Sequence, residues 1–266
     1  MSGVVAGGEL VRADVRDGVG VITLDHPAKR NALSAQLLGA LMSVLDGVAE
    51  RGARVVILRA APGMSVWSAG HDIRELPLGG MDPLGYFAPL ERTLRAIRAL
   101  PVPVVAMVRG SVWGGAFDLV LSCDMIVADE SATFAITPAN IGLPYNTTGL
   151  LHFLGRLPLN LVREMFFTAE PLDAQRALQW GIVNRLMPSV ELEARTMALA
   201  TGMASKAPLA IAVVKEQLRV LTDYHAVPAQ AFEKIEAMRQ KVYDSADYRE
   251  GVTAFLEKRR PAFKGE

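Results

Sequence analysis

The sequence predicts an α/β fold that is followed by a helical C-terminal region. Apolar strand patterns such as Arg54–Arg59 and Val104–Val108 alternate with helical patterns, whereas helical periodicity dominates from Thr148 onward. Strands that alternate with helices are typical of a layered α/β protein with right-handed crossovers. We therefore expect an α/β core over residues 1–200 and a helical region over residues 201–266.

The N-terminal elements are predicted from their turns and caps. Leu10–Val15 and Val19–Leu24 alternate apolar and polar residues around Asp17-Gly18, which predicts a β-hairpin. Ser34 is expected to cap a helix, because apolar residues then recur at helical spacing until Gly52.

The later elements follow from composition and periodicity. Ala60–Gly70 is rich in Gly, Ser and Pro and predicts a loop. A helix is expected over Leu84–Leu100, a glycine turn over Gly110–Gly115, a short helix over Ala116–Cys123 and a strand over Met125–Ala128. Six further helices are expected over Val162–Phe167, Ala174–Trp180, Val190–Ser205, Leu209–Leu221, Ala229–Val242 and Tyr248–Lys258.

The composition limits the classes of partner. The chain has 266 residues with 28 basic and 28 acidic side chains, so its formal net charge is zero. Sequence-independent nucleic-acid binding needs a basic face, and we therefore expect no nucleic-acid partner. The longest apolar stretches, such as Val102–Val108, are too short to span a bilayer, so we expect no membrane partner. A few local cations would still allow a small anionic ligand.

The compartment and the assembly are predicted from similar arguments. The single cysteine, Cys123, cannot form an intramolecular disulfide and suits a reducing cytoplasm. Met1–Gly8 lacks the basic and apolar pattern of a signal peptide. A mean hydropathy of +0.25 without a membrane segment indicates extra buried surface, for which tight oligomerisation is one explanation.

Two glycine turns are the first candidates for chemistry. In Trp67–Leu76, Gly70 leads into a predicted helix and leaves the amide of His71 without an intrahelical acceptor. The second turn places the amide of Gly115 at the start of another helix. The two amides form a candidate pair of oxyanion donors. Each turn taken alone is equally well explained by capping or by close packing.

A third segment, Phe134–Asn146, is notable for its lack of carboxylates, since none occurs between Glu130 and Glu164. If this segment lines a site, acid–base chemistry there lacks a strong base. Tyr145 and Asn140 are its candidate hydrogen-bond donors. A packed tyrosine with a satisfied hydroxyl explains Tyr145 equally well.

Metal and nucleophilic chemistry are disfavoured. The histidines His26, His71, His152 and His225 show no metal-ligand spacing, and one cysteine cannot build a structural zinc site, so no metal is expected. Ser111 lacks the G-x-S-x-G context of a hydrolase nucleophile.

The pairing of the loop Ser68-Ala-Gly-His-Asp-Ile with the turn Trp113-Gly-Gly-Ala-Phe-Asp resembles the crotonase (enoyl-CoA hydratase/isomerase) superfamily, and the resemblance covers nearly the whole chain. Within that family, Thr137–Asn146, Lys206–Glu216 and Val242–Tyr248 are similar to the decarboxylase group. The resemblance implies a spiral of β-β-α units with a helical trimerisation region, assembled as a homotrimer or a dimer of trimers.

The resemblance also implies roles for individual residues. The amides of His71 and Gly115 would form the oxyanion hole, and Tyr145 would contact a carboxylate of the substrate. Coenzyme A would be part of the substrate, and no separate cofactor is expected. Further residues are expected to bind the acyl-CoA: Lys29 and Arg30 at the phosphorylated ribose, Ala69, Asp72 and Ile73 beside pantetheine and adenine, Thr137 and Asn140 in the matching segment, and Phe255 and Lys258 from a neighbouring subunit.

Two departures from the family pattern narrow the chemistry. Hydratases use two glutamates, and their positions hold Asp118 and Pro138 here. Because proline cannot transfer a proton, we expect decarboxylation of methylmalonyl-CoA to propionyl-CoA through an enolate, with malonyl-CoA as a second candidate substrate. Asp118 is expected to act either as a supporting acid or as a structural partner. The alternatives are an enoyl-CoA hydratase or isomerase with another base, and a non-catalytic binding protein.

Overall fold

The computed structural model describes residues 3–5, 8–77, 82, 84–223 and 228–266, and strands and helices alternate along it as predicted. Its strands are β1 (Gly3–Val5), β2 (Val11–Arg16), β3 (Val19–Leu24), β4 (Val55–Ala60), β5 (Val66–Ser68), β6 (Val104–Val108), β7 (Ser111–Trp113), β8 (Met125–Asp129), β9 (Thr133–Ala135), β10 (Leu172–Asp173) and β11 (Arg185–Met187). Its α-helices are α1 (Ala35–Glu50), α2 (Pro89–Ala99), α3 (Gly115–Leu121), α4 (Thr147–Leu154), α5 (Leu159–Thr168), α6 (Ala174–Gln179), α7 (Leu192–Ala204), α8 (Pro208–Asp223), α9 (Ala229–Tyr243) and α10 (Ala246–Leu256).

The larger sheet has seven strands in the order β1-β2-β3-β4-β6-β8-β11. Strands β1 to β3 pair antiparallel, and the other neighbours pair in parallel. The predicted hairpin is confirmed, and Asp17 and Gly18 have φ values of 52° and 77°. Two left-handed residues in a two-residue loop match the right-handed twist of the strands that they join.

Helix α1 covers the inner strands of this sheet. The hydroxyl of Ser34 accepts a hydrogen bond from the amide of Leu37 at 3.2 Å, so the predicted N-cap is confirmed. The apolar stripe of the helix is buried in the main core, and it consists of Leu37, Leu38, Leu41, Val44, Leu45 and Val48.

A second, smaller sheet with the order β10-β9-β7-β5 was not predicted. The expected loop Ala60–Gly70 contains β5, and the expected turn Gly110–Gly115 contains β7, so both predictions are wrong in part. A strand of three residues is too short for its alternation to be recognised. Strands β5 and β7 pair in parallel, which brings their carboxyl ends to the same edge of the sheet.

The helical region follows the prediction with two exceptions. The helix expected over Leu84–Leu100 begins only at Pro89, which occupies the first helical position where a missing amide proton costs nothing. Helix α4 (Thr147–Leu154) and the short strands β10 and β11 were not predicted. The six later helices are present as α5 to α10, with small shifts at their ends.

Helices α9 and α10 fold back onto the smaller sheet's end of the core. Tyr243 and Tyr248 are buried in a cluster that also contains Leu76, Leu84, Ile141, Leu143 and Val252. Gly251 lets α10 lie directly on the segment 138–141, because a Cβ at this position would overlap the carbonyl oxygen of Ile141. The C-terminal helices therefore form one wall of the region described below.

The predicted boundary near residue 200 lies inside α7. Leu192, Ala200 and Ala204 of this helix pack on the larger sheet in a cluster that includes Val55 and Val105. The division into residues 1–200 and 201–266 stays a prediction.

Within the described ranges, no single helix is both long and apolar enough to cross a membrane. Helix α7 and the segment Pro208–Thr222 meet that requirement only when they are combined, and they are bent by 104° relative to each other.

Candidate active site

The two glycine turns lie side by side at the carboxyl ends of β5 and β7. After β5, the amide of Ala69 donates to the carbonyl of Arg30 at 3.0 Å, and the carbonyl of Gly70 accepts from Leu33 at 2.7 Å. After β7, Gly114 has a φ of 55° and Gly115 begins α3. The first turn is thus fixed to the preceding loop, and the second is fixed to a helix.

Glycine is required where the two turns meet. Gly70 has a φ of 85°, and a Cβ there would overlap the carbonyl oxygen of Trp113 and lie 3.4 Å from the amide nitrogen of Gly115. A Cβ on Gly115 would lie 2.7 Å from Cδ2 of Leu90 and 3.8 Å from the amide nitrogen of His71. The absence of both side chains therefore brings the amides of His71 and Gly115 close together.

Each of these amides is left available by its local structure. Gly115 is the first residue of α3, and an amide at that position has no intrahelical acceptor. The bridge between Leu33 and His71 uses the carbonyl of Gly70 and the amide of Asp72. A short 3₁₀ turn, Ile73–Glu75, follows His71 instead of the predicted helix. A helix dipole therefore contributes at Gly115 and not at His71.

Both amides border a cavity, which we call the inner cavity. It encloses about 640 Å³ of space between atoms, within the range of small-molecule sites. Residues predicted for the site that line it are Ala69, His71, Ile73, Gly115, Asp118, Thr137 and Tyr145. Pro138 also lines it, together with the apolar side chains Leu76, Leu84, Leu90, Leu94, Ile141 and Leu143. The cavity thus combines two polar backbone donors with a largely apolar wall.

A second opening, the basic cleft, adjoins the inner cavity and shares Ala69, His71 and Ile73 with it. Its remaining lining includes Lys29, Arg30, Asp72, Phe255 and Lys258 from the predicted set. The ammonium group of Lys29 lies 3.3 Å from the carboxylate of the buried Asp72. The chain supplies its own Phe255 and Lys258 to this cleft, so the expectation that a neighbouring subunit provides them is wrong for the cleft described.

Asn140 does not join the other predicted residues. It lies exposed in the 3₁₀ segment Pro138–Ile141 and lines neither the inner cavity nor the basic cleft. That segment turns one side, with Pro138 and Ile141, towards the cavity and the other towards solvent. The sequence did not show which side Asn140 would occupy.

Tyr145 is held by a buried acid and by aromatic rings. Its hydroxyl donates to Oδ2 of Asp118 at 3.0 Å, and its ring makes edge contacts with Phe153 and Phe166. Oδ1 of Asp118 lies 2.9 Å from Nδ1 of His152. Burial and the charge of Asp118 hold the pKa of Tyr145 well above its ordinary range. Both predictions for Asp118 meet in this arrangement, although its partners are side chains.

The arrangement depends on a third glycine. A Cβ on Gly149 of α4 would overlap Cε1 of Tyr145 and lie 3.0 Å from Oδ2 of Asp118. Because an ionised Asp118 only accepts hydrogen bonds, it engages the single proton of the Tyr145 hydroxyl. Tyr145 therefore cannot donate to a ligand without releasing Asp118.

The imidazole of His71 lies where the inner cavity and the basic cleft meet. Burial lowers its pKa, and the nearby carboxylates of Glu75 and Asp72 oppose that effect. Nδ1 of this ring is buried without a hydrogen-bond partner among the described groups. The neutral form is therefore favoured at pH 7.

The sequence analysis missed Glu91, which also lines the inner cavity. This residue is only 3% exposed, and Oε1 accepts a hydrogen bond from Arg95 at 3.2 Å. Burial raises the pKa of its carboxyl group, with Asp118 adding to that effect and His152 opposing it. A signal was present, because Glu91 precedes Leu94 by one helical turn and so lies next to the apolar stripe of α2.

Within the described residues, no group of three or more His, Cys, Asp or Glu side chains could hold a metal ion. His225, which was considered as a ligand from the sequence, lies outside the described residues.

Comparison with known proteins identifies the family. The family model "Enoyl-CoA hydratase/isomerase" matches residues 14–266. Methylmalonyl-CoA decarboxylase from Escherichia coli K12 is 48% identical over 247 residues, which cover 93% of this chain and 95% of that protein. The human mitochondrial enoyl-CoA hydratase domain-containing protein 3 is 36% identical over 256 residues, covering 94% and 82% of the two chains.

Solved structures give the same result for the fold. Methylmalonyl-CoA decarboxylase in complex with 2-nitronate-propionyl-CoA matches with a TM-score of 0.95 at 47% identity, covering 97% of this chain and 99% of that chain. The same enzyme complexed with 2S-carboxypropyl-CoA also has a TM-score of 0.95, with 97% and 98% covered. The predicted crotonase-type fold is thereby confirmed.

We predict that two alanine substitutions at the meeting point of the turns differ in their effect on stability. Gly70→Ala combines a left-handed φ with overlap against a backbone oxygen, so it should lower the free energy of unfolding by more than about 3 kcal/mol. Gly115→Ala meets only the end of a leucine side chain, so it should cost about 1 kcal/mol. Urea unfolding measures both values, and equal losses would contradict the packing described.

Proposed function

This chain belongs to the enoyl-CoA hydratase/isomerase family, and we propose that it decarboxylates methylmalonyl-CoA to propionyl-CoA and CO2. The observation that carries the proposal is the inner cavity, in which the free amides of His71 and Gly115 share a lining with Pro138. Pro138 stands where the family resemblance places the second glutamate of a hydratase. Similarity to methylmalonyl-CoA decarboxylase supports this choice of substrate.

The bond-breaking step needs a place for an electron pair. When the carboxylate leaves as CO2, the electrons of the C–C bond enter the thioester and negative charge collects on its oxygen. The amides of His71 and Gly115 would donate to that oxygen. One such donor contributes about 3–4 kcal/mol in a comparable oxyanion hole. The thioester itself accepts the electrons, so we propose that no cofactor beyond the CoA part of the substrate is needed.

Tyr145 and Asp118 would act on the departing carboxylate. One hydroxyl proton is shared between Asp118 and the substrate carboxylate, and both groups are acceptors. As the charge moves from the carboxylate to the thioester oxygen, the hydroxyl can return fully to Asp118. That hydrogen bond is then stronger in the transition state than in the ground state, which is the condition for catalysis.

The basic cleft would hold the CoA portion. Lys29, Arg30 and Lys258 bring three cations to one opening beside the inner cavity, and the phosphates of CoA are anionic. The ion pair between Lys29 and Asp72 fixes one of these cations in place. A chain with zero net charge can therefore bind a strongly anionic substrate, because the charge is local.

The second candidate function is hydration or isomerisation of an enoyl-CoA. One observation favours it, because Glu91 and Asp118 supply two carboxyl groups to the inner cavity. Asp118 is engaged by Tyr145 and His152, however, and Glu91 by Arg95. Activation of water would have to break one of these contacts, so decarboxylation is the better supported function.

We also propose that the chain works as a homotrimer or a dimer of trimers in the cytoplasm. Large apolar side chains are exposed on the adjoining helices α8 and α9: Leu209, Val213, Val214, Leu218, Leu221, Phe232, Ile235 and Met238. Such a concentration is typical of a surface that another copy covers. The cytoplasmic location is supported by the single, buried Cys123.

We predict that the purified protein converts methylmalonyl-CoA to propionyl-CoA and adds no water to crotonyl-CoA. Mass spectrometry of the CoA products measures both reactions. Gly115→Ala should fold and yet lower kcat by about tenfold or more, because its methyl group intrudes beside the oxyanion donors. Hydration of crotonyl-CoA, with no product from methylmalonyl-CoA, would instead support the second candidate.

We predict that Tyr145→Phe lowers kcat for decarboxylation by about tenfold or more, with a smaller change in KM. The phenyl ring keeps the contacts with Phe153 and Phe166 and loses only the hydroxyl that serves Asp118. Tyr243→Phe is the matched control, since it removes a tyrosine–aspartate hydrogen bond outside the inner cavity. If both variants keep full kcat, Tyr145 has no role in the chemical step.

We predict that charge on the exposed face of α8 dissociates the assembly. The double variant Val213→Asp and Leu221→Asp should sediment as a monomer in analytical ultracentrifugation, whereas the parent chain should sediment as a trimer or hexamer. Val190→Asp is the control, because Val190 is 92% exposed and lies outside α8 and α9. A parent chain that is already monomeric would refute the proposed assembly.

A further inference from the structure

Glu91 separates the inner cavity from a second space, which we call the outer cavity. The outer cavity lies on the far side of α2 and is lined by Glu91, Arg95, Thr148, Leu151, His152 and Arg219. The side chain of Glu91 is 3% exposed, yet the residue borders both spaces. It is therefore placed to receive a proton on one side and to release it on the other.

The surroundings of Glu91 favour its acid form. Burial is the largest effect and raises the pKa of its carboxyl group, and the nearby carboxylate of Asp118 acts in the same direction. Arg95 on α2 and His152 on α4 oppose this effect without reversing it. The carboxyl group can thus carry a proton at a pH where an exposed glutamate would be ionised.

The other ionisable groups of the inner cavity are poorer donors to carbon. The proton of Tyr145 is engaged by Asp118, and the pKa of that hydroxyl is raised by burial. His71 favours the neutral imidazole, because burial lowers its pKa. Asp118 already accepts from Tyr145 and contacts His152. Among the described residues that line the cavity, Glu91 is the remaining acid.

We infer that Glu91 delivers the proton that converts the enolate to propionyl-CoA, and that it is recharged with a proton from the outer cavity. The inference rests on the proposed decarboxylation and adds the donor for its second half. The enolate oxygen re-forms the carbonyl, C2 forms a bond to the proton, and the O–H bond of Glu91 breaks. Water in the outer cavity then returns one proton to the carboxylate, so each turnover consumes one proton and releases one CO2.

The outer cavity contains a group suited to this return. Nε2 of His152 is buried without a hydrogen-bond partner among the described groups, while Nδ1 is fixed by Asp118. The ring nitrogen can accept a proton from water and keep a local store of it beside Glu91. Arg95 holds the Glu91 carboxyl at 3.2 Å and so fixes its position between the two spaces.

A donor fixed in one wall protonates one face of the enolate, which gives the test. Decarboxylation in D2O makes propionyl-CoA with one deuterium at C2, and ²H NMR of a chiral ester of the released propionate reports its configuration. The parent chain should give an excess of about tenfold or more of one configuration. Glu91→Gln should still consume methylmalonyl-CoA, because C–C cleavage precedes protonation, and its product should approach equal amounts of both configurations.

Arg92→Gln is the matched control, since Arg92 is exposed on the same helix, and it should keep the parent ratio. Equal amounts from the parent chain, or an unchanged excess from Glu91→Gln, would overturn the inference and leave the decarboxylation intact. A folded Glu91→Gln that consumes no substrate would also overturn it, because Glu91 would then act before protonation. Failure of the parent chain to consume methylmalonyl-CoA would instead refute the proposed function.

A second variant keeps the test decisive if Glu91→Gln does not fold. In the parent chain, the configurational excess should fall as the pH rises through the pKa of Glu91, which faces Arg95, Asp118, His152 and Tyr145. Arg95→Met removes a cation that lowers this pKa, so the excess should persist to higher pH. An unchanged or lower transition pH would contradict the assignment.

Discussion

The close contact between two glycine turns is the constraint on which the rest of this structure depends. Gly70 packs against the carbonyl of Trp113, and Gly115 lies next to the amide of His71. Strands β5 and β7, although only three residues each, pair in parallel and bring the turns to one edge. A side chain at either glycine would separate two backbone amides whose value lies in their proximity, so the smaller sheet exists in its observed form to hold them together.

Around this contact, charge is arranged by depth and not by total. Cations collect at the opening of the basic cleft, while the acids Glu91 and Asp118 are buried at the opposite wall of the inner cavity. An anionic substrate is attracted at the entrance and meets negative charge at the reacting end. A carboxylate in that position is stabilised poorly, and its loss as neutral CO2 relieves the repulsion. The same wall supplies a proton donor, because burial keeps Glu91 in its acid form.

Much of the fold could be predicted from the sequence because its signals are local. The hairpin at Asp17-Gly18, the cap at Ser34 and the later helices depend on turn chemistry, capping and periodicity, which neighbouring residues determine. The smaller sheet could not be predicted, since its strands are shorter than the pattern that identifies a strand. The exposed position of Asn140 was also hidden, because a 3₁₀ segment has no clear hydrophobic periodicity.

By itself, the sequence determined the fold class, the pair of amide donors at His71 and Gly115, and the replacement of a hydratase glutamate by Pro138. These follow from residue type, because only glycine permits the close turns and proline cannot transfer a proton. Only the tertiary structure decided which acids share the cavity. Glu91 lies on a helix far from the glycine turns in sequence, and both its burial and its pKa come from residues that folding places around it.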